Sequence, residues 1–184
     1  MNTSSAGLSA APIAIPAGEW TIVPQGSAAS FSVSNFGVNT VRGTVPIRTA
    51  SVVVASDRLI SRVHATLDLA GIDTGNARRD KDLRNHRLLD TDQFPAVTFA
   101  CTDILTTDDG WRLTGTLEAH GTTIPVTVDA ELTTGPANGS LSVHATAKFD
   151  RRALGIKAPR LMIGREIAVE INAEFRTAGG QQQT

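Results

Sequence analysis

The chain lacks most of the residues that would announce a chemistry. Among its 184 residues there is one cysteine, no tyrosine, and an aromatic share of only 4%. A lone Cys101 excludes an internal disulfide framework, so the fold must stand on packing alone. Basic and acidic residues nearly cancel, at a formal charge of -1, which removes any global pull toward nucleic acid or an anionic membrane. No apolar run approaches bilayer-spanning length, so no stable membrane insertion is expected. The four histidines, His64, His86, His120 and His144, stand far apart, and no pair has metal-ligand spacing. Cys101 has no flanking signature of a nucleophile. No G-x-S-x-G, glycine-rich phosphate loop or paired catalytic carboxylates stand out. No catalytic residue, metal or cofactor is therefore expected.

What the chain does contain is alternation. Phe31 and Val33 alternate with serines. Val63, Ala65, Leu67 and Leu69 alternate with polar residues, and so do Val97, Phe99 and Cys101. Trp111, Leu113, Gly115, Leu117 and Ala119 carry the cleanest period of two. Val126 to Leu132, Leu141 to Phe149 and Ile167 to Phe175 repeat it, with shorter candidates at Thr40 to Val45 and Ser51 to Val54. Asn35-Phe36-Gly37 and His120-Gly121 read as turns, and Pro136 to Ser140 as a loop. Each strand has one apolar and one polar face, as antiparallel sheets with one wet side do. A sandwich would bury those faces, and so would a closed barrel of about eight strands. Gly43 and Gly115 inside strands favour the sharp bends of a barrel. Pro125 beside a strand suggests a bulge or a strand start.

One segment departs from this pattern. Asn76 is a candidate N-cap for a short helix over residues 76–88. Arg78 with Asp82, and Asp80 with Arg84, stand four apart and would face each other on it. Phe94-Pro95 ends any helix and returns the chain to strand. A single helix inserted into an all-β chain suggests a lid on a barrel. Residues 1–17, rich in Ala, Ser and Pro without a basic start, read as a flexible leader and not a secretory signal. Residues 18–177 then form one domain, 178–184 a disordered tail, and the expected location is the cytoplasm.

Several motifs, in order and with fitting spacings, resemble the YceI-like family. They are Phe31-Ser32-Val33-Ser34-Asn35-Phe36-Gly37 with Val41-Arg42-Gly43; Asp73-Thr74-Gly75-Asn76, Arg79-Asp80, Leu83-Arg84 and Phe94-Pro95 with Thr98-Phe99; Gly115-Thr116-Leu117 and Gly121 to Val126; and Arg151 with Leu154-Gly155-Ile156. Asn35 and Asp82 stand where the family often has histidine, and Ala153-Leu154 replaces a common acidic-aromatic pair. The resemblance implies a lipocalin-like antiparallel barrel with an apolar interior. It also implies binding of a polyisoprenoid, or a similar isoprenoid or quinone-like lipid, without a known reaction. A homodimer is compatible with it.

On that reading the apolar strand faces supply the candidate binding residues. These are Phe31, Val33, Val63, Leu67, Phe99, Leu113, Leu117, Val128, Val143, Phe149, Val169 and Ile171. Each is equally readable as ordinary core. Arg79, Asp80 and Arg151 are candidates for a polar rim, with a structural ion pair between Arg79 and Asp80 as the plainer reading. Lys148 to Glu166 carries a local excess of basic residues suited to a phosphate-bearing head. The expected function is non-catalytic binding, transport or storage of the lipid. The alternatives are an enzyme acting on a lipid-like substrate in the same barrel, and a structural or interaction module with a solid core.

Overall fold

The computed structural model describes residues 14–35, 39–157 and 164–178. Ten strand segments follow in order: β1 Gly18–Ile22, β2 Ala28–Asn35, β3 Asn39–Val45, β4 Ile47–Val54, β5 Ile60–Asp68, β6 Ala96–Thr106, β7 Trp111–Ala119, β8 Thr122–Ala137, β9 Ser140–Asp150 and β10 Glu166–Thr177. Every pairing among them is antiparallel. A 3-10 turn at Pro24–Gly26 separates β1 from β2, and Pro46 separates β3 from β4. Because β1 pairs with β4 and β2 with β3, the first four segments fill only two positions of the wall.

The wall closes on itself through β10. One flank of β10 pairs with β9 along its whole length. The other pairs first with β2, from Ile167 to Asn172, and then with β1, from Phe175 to Thr177. The result is a closed antiparallel barrel of eight strand positions. Below β4 the seam continues through the Asp68 N–H on the Pro46 carbonyl and the isolated bridge Thr44 to Asp73.

The tight turns obey simple backbone rules. His120-Gly121 and Asn138-Gly139 both have positive φ at their two central residues, as two-residue hairpins with the right twist require. The loop expected over Pro136–Ser140 is therefore shorter: β8 runs on to Ala137, and only Asn138 and Gly139 turn. Pro125 sits within β8, opposite Thr116 of β7, before the pairing with β9 begins at Val128. Its missing N–H removes no rung there. Gly43 and Gly115 have a more specific role than bending. A Cβ at Gly43 would strike the Phe31 ring and the Asp73 carbonyl, and one at Gly115 the Phe99 ring and the Ala100 carbonyl. Each glycine makes room for an inward phenylalanine. The expected turn at Asn35-Phe36-Gly37 lies, beyond Asn35, outside the described residues.

The helix is shorter than expected. α1 spans Ala77–Arg84 and stops at Asn85, whose backbone is extended. The next residues fold back, with Leu89 N–H donating to Leu83 and Thr91 N–H to the Arg84 carbonyl. The long excursions, residues 69–95 and the described residues after β9 (151–157, 164 and 165), lie at the barrel end where β5, β7 and β9 finish. This is the lid end.

The opposite end is a floor. There the turns are short, and Ile15, Trp20, Val54, Leu141, Ala173 and Phe175 form a buried cluster. Trp20 is 1% exposed, and its indole N–H donates to the Pro16 carbonyl at 3.0 Å, satisfying its one polar atom as burial demands. Ile15 is 5% exposed, so the fixed structure starts ahead of residue 18, within the stretch expected to be a flexible leader. Residues 1–13 and 179–184 lie outside the described residues. Removing the Trp20 ring should leave a void no neighbour can fill. Trp20→Ala should cost about 3–5 kcal/mol, read as a lowered urea midpoint.

Candidate functional site

Between floor and lid lies a cavity of about 300 Å³, at the lower end of the range for small-molecule pockets. The inward faces of the strands make its wall. All twelve apolar residues singled out from the alternation lie on that wall. Val33, Leu113 and Leu117 are buried, but Phe31, Val63, Leu67, Phe99, Val128, Val143, Phe149, Val169 and Ile171 are only half-buried. These nine belong to the apolar parity of their strands and all border the hollow, Phe31 and Val169 bordering also a groove with Arg42, Asp129 and Lys148, and each keeps part of its accessible surface. In a close-packed core such side chains would interdigitate and lose nearly all of it.

The alternation missed the residues that close the two ends. Ile15 and Trp20 line the cavity at the floor, and Leu83, Leu88, Leu89, Leu154 and Ile156 line it from the lid end. They lie outside strands, except Trp20 in β1, so a period of two does not single them out. For the lid residues the signal was apolar identity in polar surroundings.

Polar side chains stitch the lid together. Asn76 caps α1 by accepting the Arg79 N–H at 3.1 Å. Asp80, 6% exposed, accepts the Thr74 N–H at 3.0 Å and the Thr74 hydroxyl proton. Arg79 donates from Nε to Thr74 Oγ1 at 2.8 Å and from its terminal nitrogen to the Thr74 carbonyl at 2.9 Å. Arg79 and Asp80 are thus joined through Thr74. The helix-surface pairs expected for Arg78–Asp82 and Asp80–Arg84 are not what holds α1. Asp80 turns back to Thr74, and Arg84 donates to the Ala70 and Ile72 carbonyls at 2.8 and 2.7 Å. The carbonyls at the end of the 3-10 turn Leu69–Gly71 need donors, and Arg84 supplies them.

Arg151 anchors the second cap. It is 5% exposed and borders the cavity. Its guanidinium donates to the Gly164 carbonyl at 2.7 Å and the Ile156 carbonyl at 2.8 Å. Buried charge is tolerable when hydrogen-bonded in this way. Those bonds set Ile156, with Leu154, against Leu117, Ala119, Ile124 and Val126, over the stretch of β8 that β9 does not cover. His120 lines the same region, its ring 5.0 Å from that of Phe94.

Part of the basic excess of this loop is paired. Asp150 accepts from Arg152 and from Arg165, and Lys148 lies 3.6 Å from Glu166. Arg160 is outside the described residues. The Arg152 side chain, then its backbone N–H, then Arg165 hold the Asp150 carboxyl well below the usual carboxylate range. Cys101 is half-buried beside a bulge in β6, with its thiol against the Asp103 carbonyl. Burial pushes that thiol up from its ordinary value, which keeps it protonated.

Two expectations follow. Asp80→Ala would leave the Thr74 N–H and hydroxyl unpaired in a buried place, at about 1–3 kcal/mol. Hydrogen exchange should then quicken across residues 72–84 and leave β7 and β9 unchanged. Asp150 sits on an exposed surface, so its contribution is salt-screened. Its carboxyl is depressed in the folded state, so the stability it adds is present above the ordinary value of 3.8 and lost as pH falls below it. The gap in urea midpoint between the parent protein and Asp150→Asn should narrow through that acid range.

Residues 20–175 match the YceI-like domain. A UPF0312 protein of Vibrio vulnificus is 30% identical over 133 residues, 70% of this chain and 70% of its own. One from Yersinia enterocolitica is 35% identical over 72 residues, 39% of this chain and 38% of its own. The crystal structure of the Campylobacter jejuni YceI protein superposes with a TM-score of 0.66 at 19% identity, covering 82% of this chain and 91% of that one. A polyisoprenoid binding domain from Saccharophagus degradans, implicated in plant cell wall breakdown, superposes with a TM-score of 0.64 at 14% identity, covering 86% of this chain and 98% of that one. The two superpositions bear on the fold, and the barrel is the lipocalin-like one of these proteins. With the match running from Trp20 at the floor to Phe175 beside it, this chain belongs to the YceI-like family.

Proposed function

We propose that the barrel binds a polyisoprenoid or a similar apolar, quinone-like lipid and carries or stores it without chemical change. The tail lies in the hollow. The head lies at the lid end, bordered by α1 and by the loop that Arg151 holds. The observation that carries this reading is the half-buried state of nine inward apolar side chains around one cavity. A solid-core module would have those side chains in contact across the axis.

The energetics favour a hydrocarbon guest. Each methylene-sized group moved from water onto this wall contributes about 0.8 kcal/mol. A polar guest atom without a partner there would cost about 1–3 kcal/mol. Most backbone polar groups of the wall are engaged in the strand ladders, so the wall offers chiefly apolar contact. Ordering a flexible chain offsets part of the gain, so affinity falls short of the simple sum. The Saccharophagus degradans relative is described as a polyisoprenoid binding domain, which agrees with that guest.

Purified protein should release an apolar molecule on solvent extraction, identified by mass spectrometry. Delipidated protein should take up an isoprenoid alcohol saturably. Ala65→Phe and Val128→Phe place new rings in the hollow and should weaken that uptake at least tenfold, with the unfolding midpoint unchanged or raised. Extraction of nothing apolar, together with no saturable uptake, would overturn the carrier reading.

A further inference from the structure

The floor of the hollow is not built by strands alone. Ile15 belongs to the stretch 14–17, which has no regular structure, yet it is buried among Trp20, Val54, Leu141, Ala173 and Phe175. Three features fix it there. The Trp20 indole holds the Pro16 carbonyl at 3.0 Å. The Ala178 N–H donates to the Glu19 carbonyl at 3.0 Å, tying the start of β1 to the end of β10. Gly18 has a φ of 136°, a conformation that other residues rarely adopt, and it turns the chain from β1 back beneath the barrel. No atom would touch a Cβ placed at Gly18, so the glycine serves the backbone direction and not a close approach.

Ile15 and Trp20 also face the cavity. From these placements we infer that Ile15, seated on Trp20, is a stopper that sets how long an apolar chain the barrel takes in. It is a specificity-determining residue for the lipid binding proposed above, and the inference rests on that reading. The two ends of the hollow are unequal. At the lid end the wall is made of non-strand segments carrying Arg151 and His120 beside apolar side chains, so excess chain and a polar head can be accommodated there. At the floor Ile15 packs into an apolar cluster and the turns are short. A chain that reaches the floor can go no further, and a longer homologue must leave additional carbons nearer to water at the lid. Those carbons add less than the first ones did, because only surface removed from water contributes.

The test compares farnesol with the longer geranylgeraniol, by competition for delipidated full-length protein. The readout is the ratio of their dissociation constants, which cancels general losses of affinity. Ile15→Ala removes three carbons from the floor and should shift that ratio about tenfold toward geranylgeraniol, equivalent to about 1.4 kcal/mol. Ile15→Phe should shift it the opposite way. Gly18→Val alters no lining side chain but disfavours the fold-back, and it should act like Ile15→Ala, which keeps the test decisive should one variant not fold. An unchanged ratio in Ile15→Ala and Gly18→Val with uptake intact would overturn the stopper while leaving the carrier reading in place. If the parent protein takes up neither alcohol, both fall together.

Discussion

The pairing of β10 on both flanks is the constraint on which the rest of the molecule depends. Its register with β9 on one side, and with β2 then β1 on the other, turns an open sheet into a ring. An eight-position ring has a diameter just large enough that inward side chains either fill it or leave room for one small guest. The inner face here is made mostly of valine, leucine and alanine. Such short side chains do not span that diameter, and two of the four inward phenylalanines, Phe31 and Phe99, lie back over Gly43 and Gly115. Closure and side-chain size together make the hollow.

The ends are sealed by different physics. The floor is sealed by burial, with tryptophan and aliphatic side chains and one satisfied indole N–H. The lid end is sealed by leucines and an isoleucine on non-strand segments, and polar side chains hold those segments in place. Thr74, Asp80 and Arg79 form one knot, Arg84 with two carbonyls a second, and Arg151 with two carbonyls a third. Each ties backbone that would otherwise have orphan polar groups. The charged residues nearest the hollow are therefore spent on architecture, and what they present inward is the aliphatic surface of the residues they position.

Much of this was legible in the sequence, for a definite reason. Strand faces show themselves through a period of two, so Leu113 and Leu117, or Val169 and Ile171, could be assigned to one side without coordinates. The short helix declared itself through Asn76 and Phe94-Pro95. The hollow did not, because a packed and an empty barrel have the same alternation. The difference lies in ring closure and in how far each side chain reaches. Ile15 was hidden by its Ala- and Pro-rich surroundings, where a pair of isoleucines is too short a run to mark a strand. The fate of Asp80 and Arg84 was obscured by spacing that fits a helix-surface pair, whereas both turn toward the backbone before α1. Side chain-to-backbone bonds across a loop have no sequence period.

The composition of the floor has a spectroscopic corollary. Both tryptophans of the chain stand at that end, Trp20 inside the cluster and Trp111 packed against it, and there is no tyrosine to add a second signal. Intrinsic ultraviolet emission thus comes almost wholly from the bottom of the barrel. It reports on the polarity around the stopper and is nearly blind to what the helix and the Arg151 loop are doing at the top.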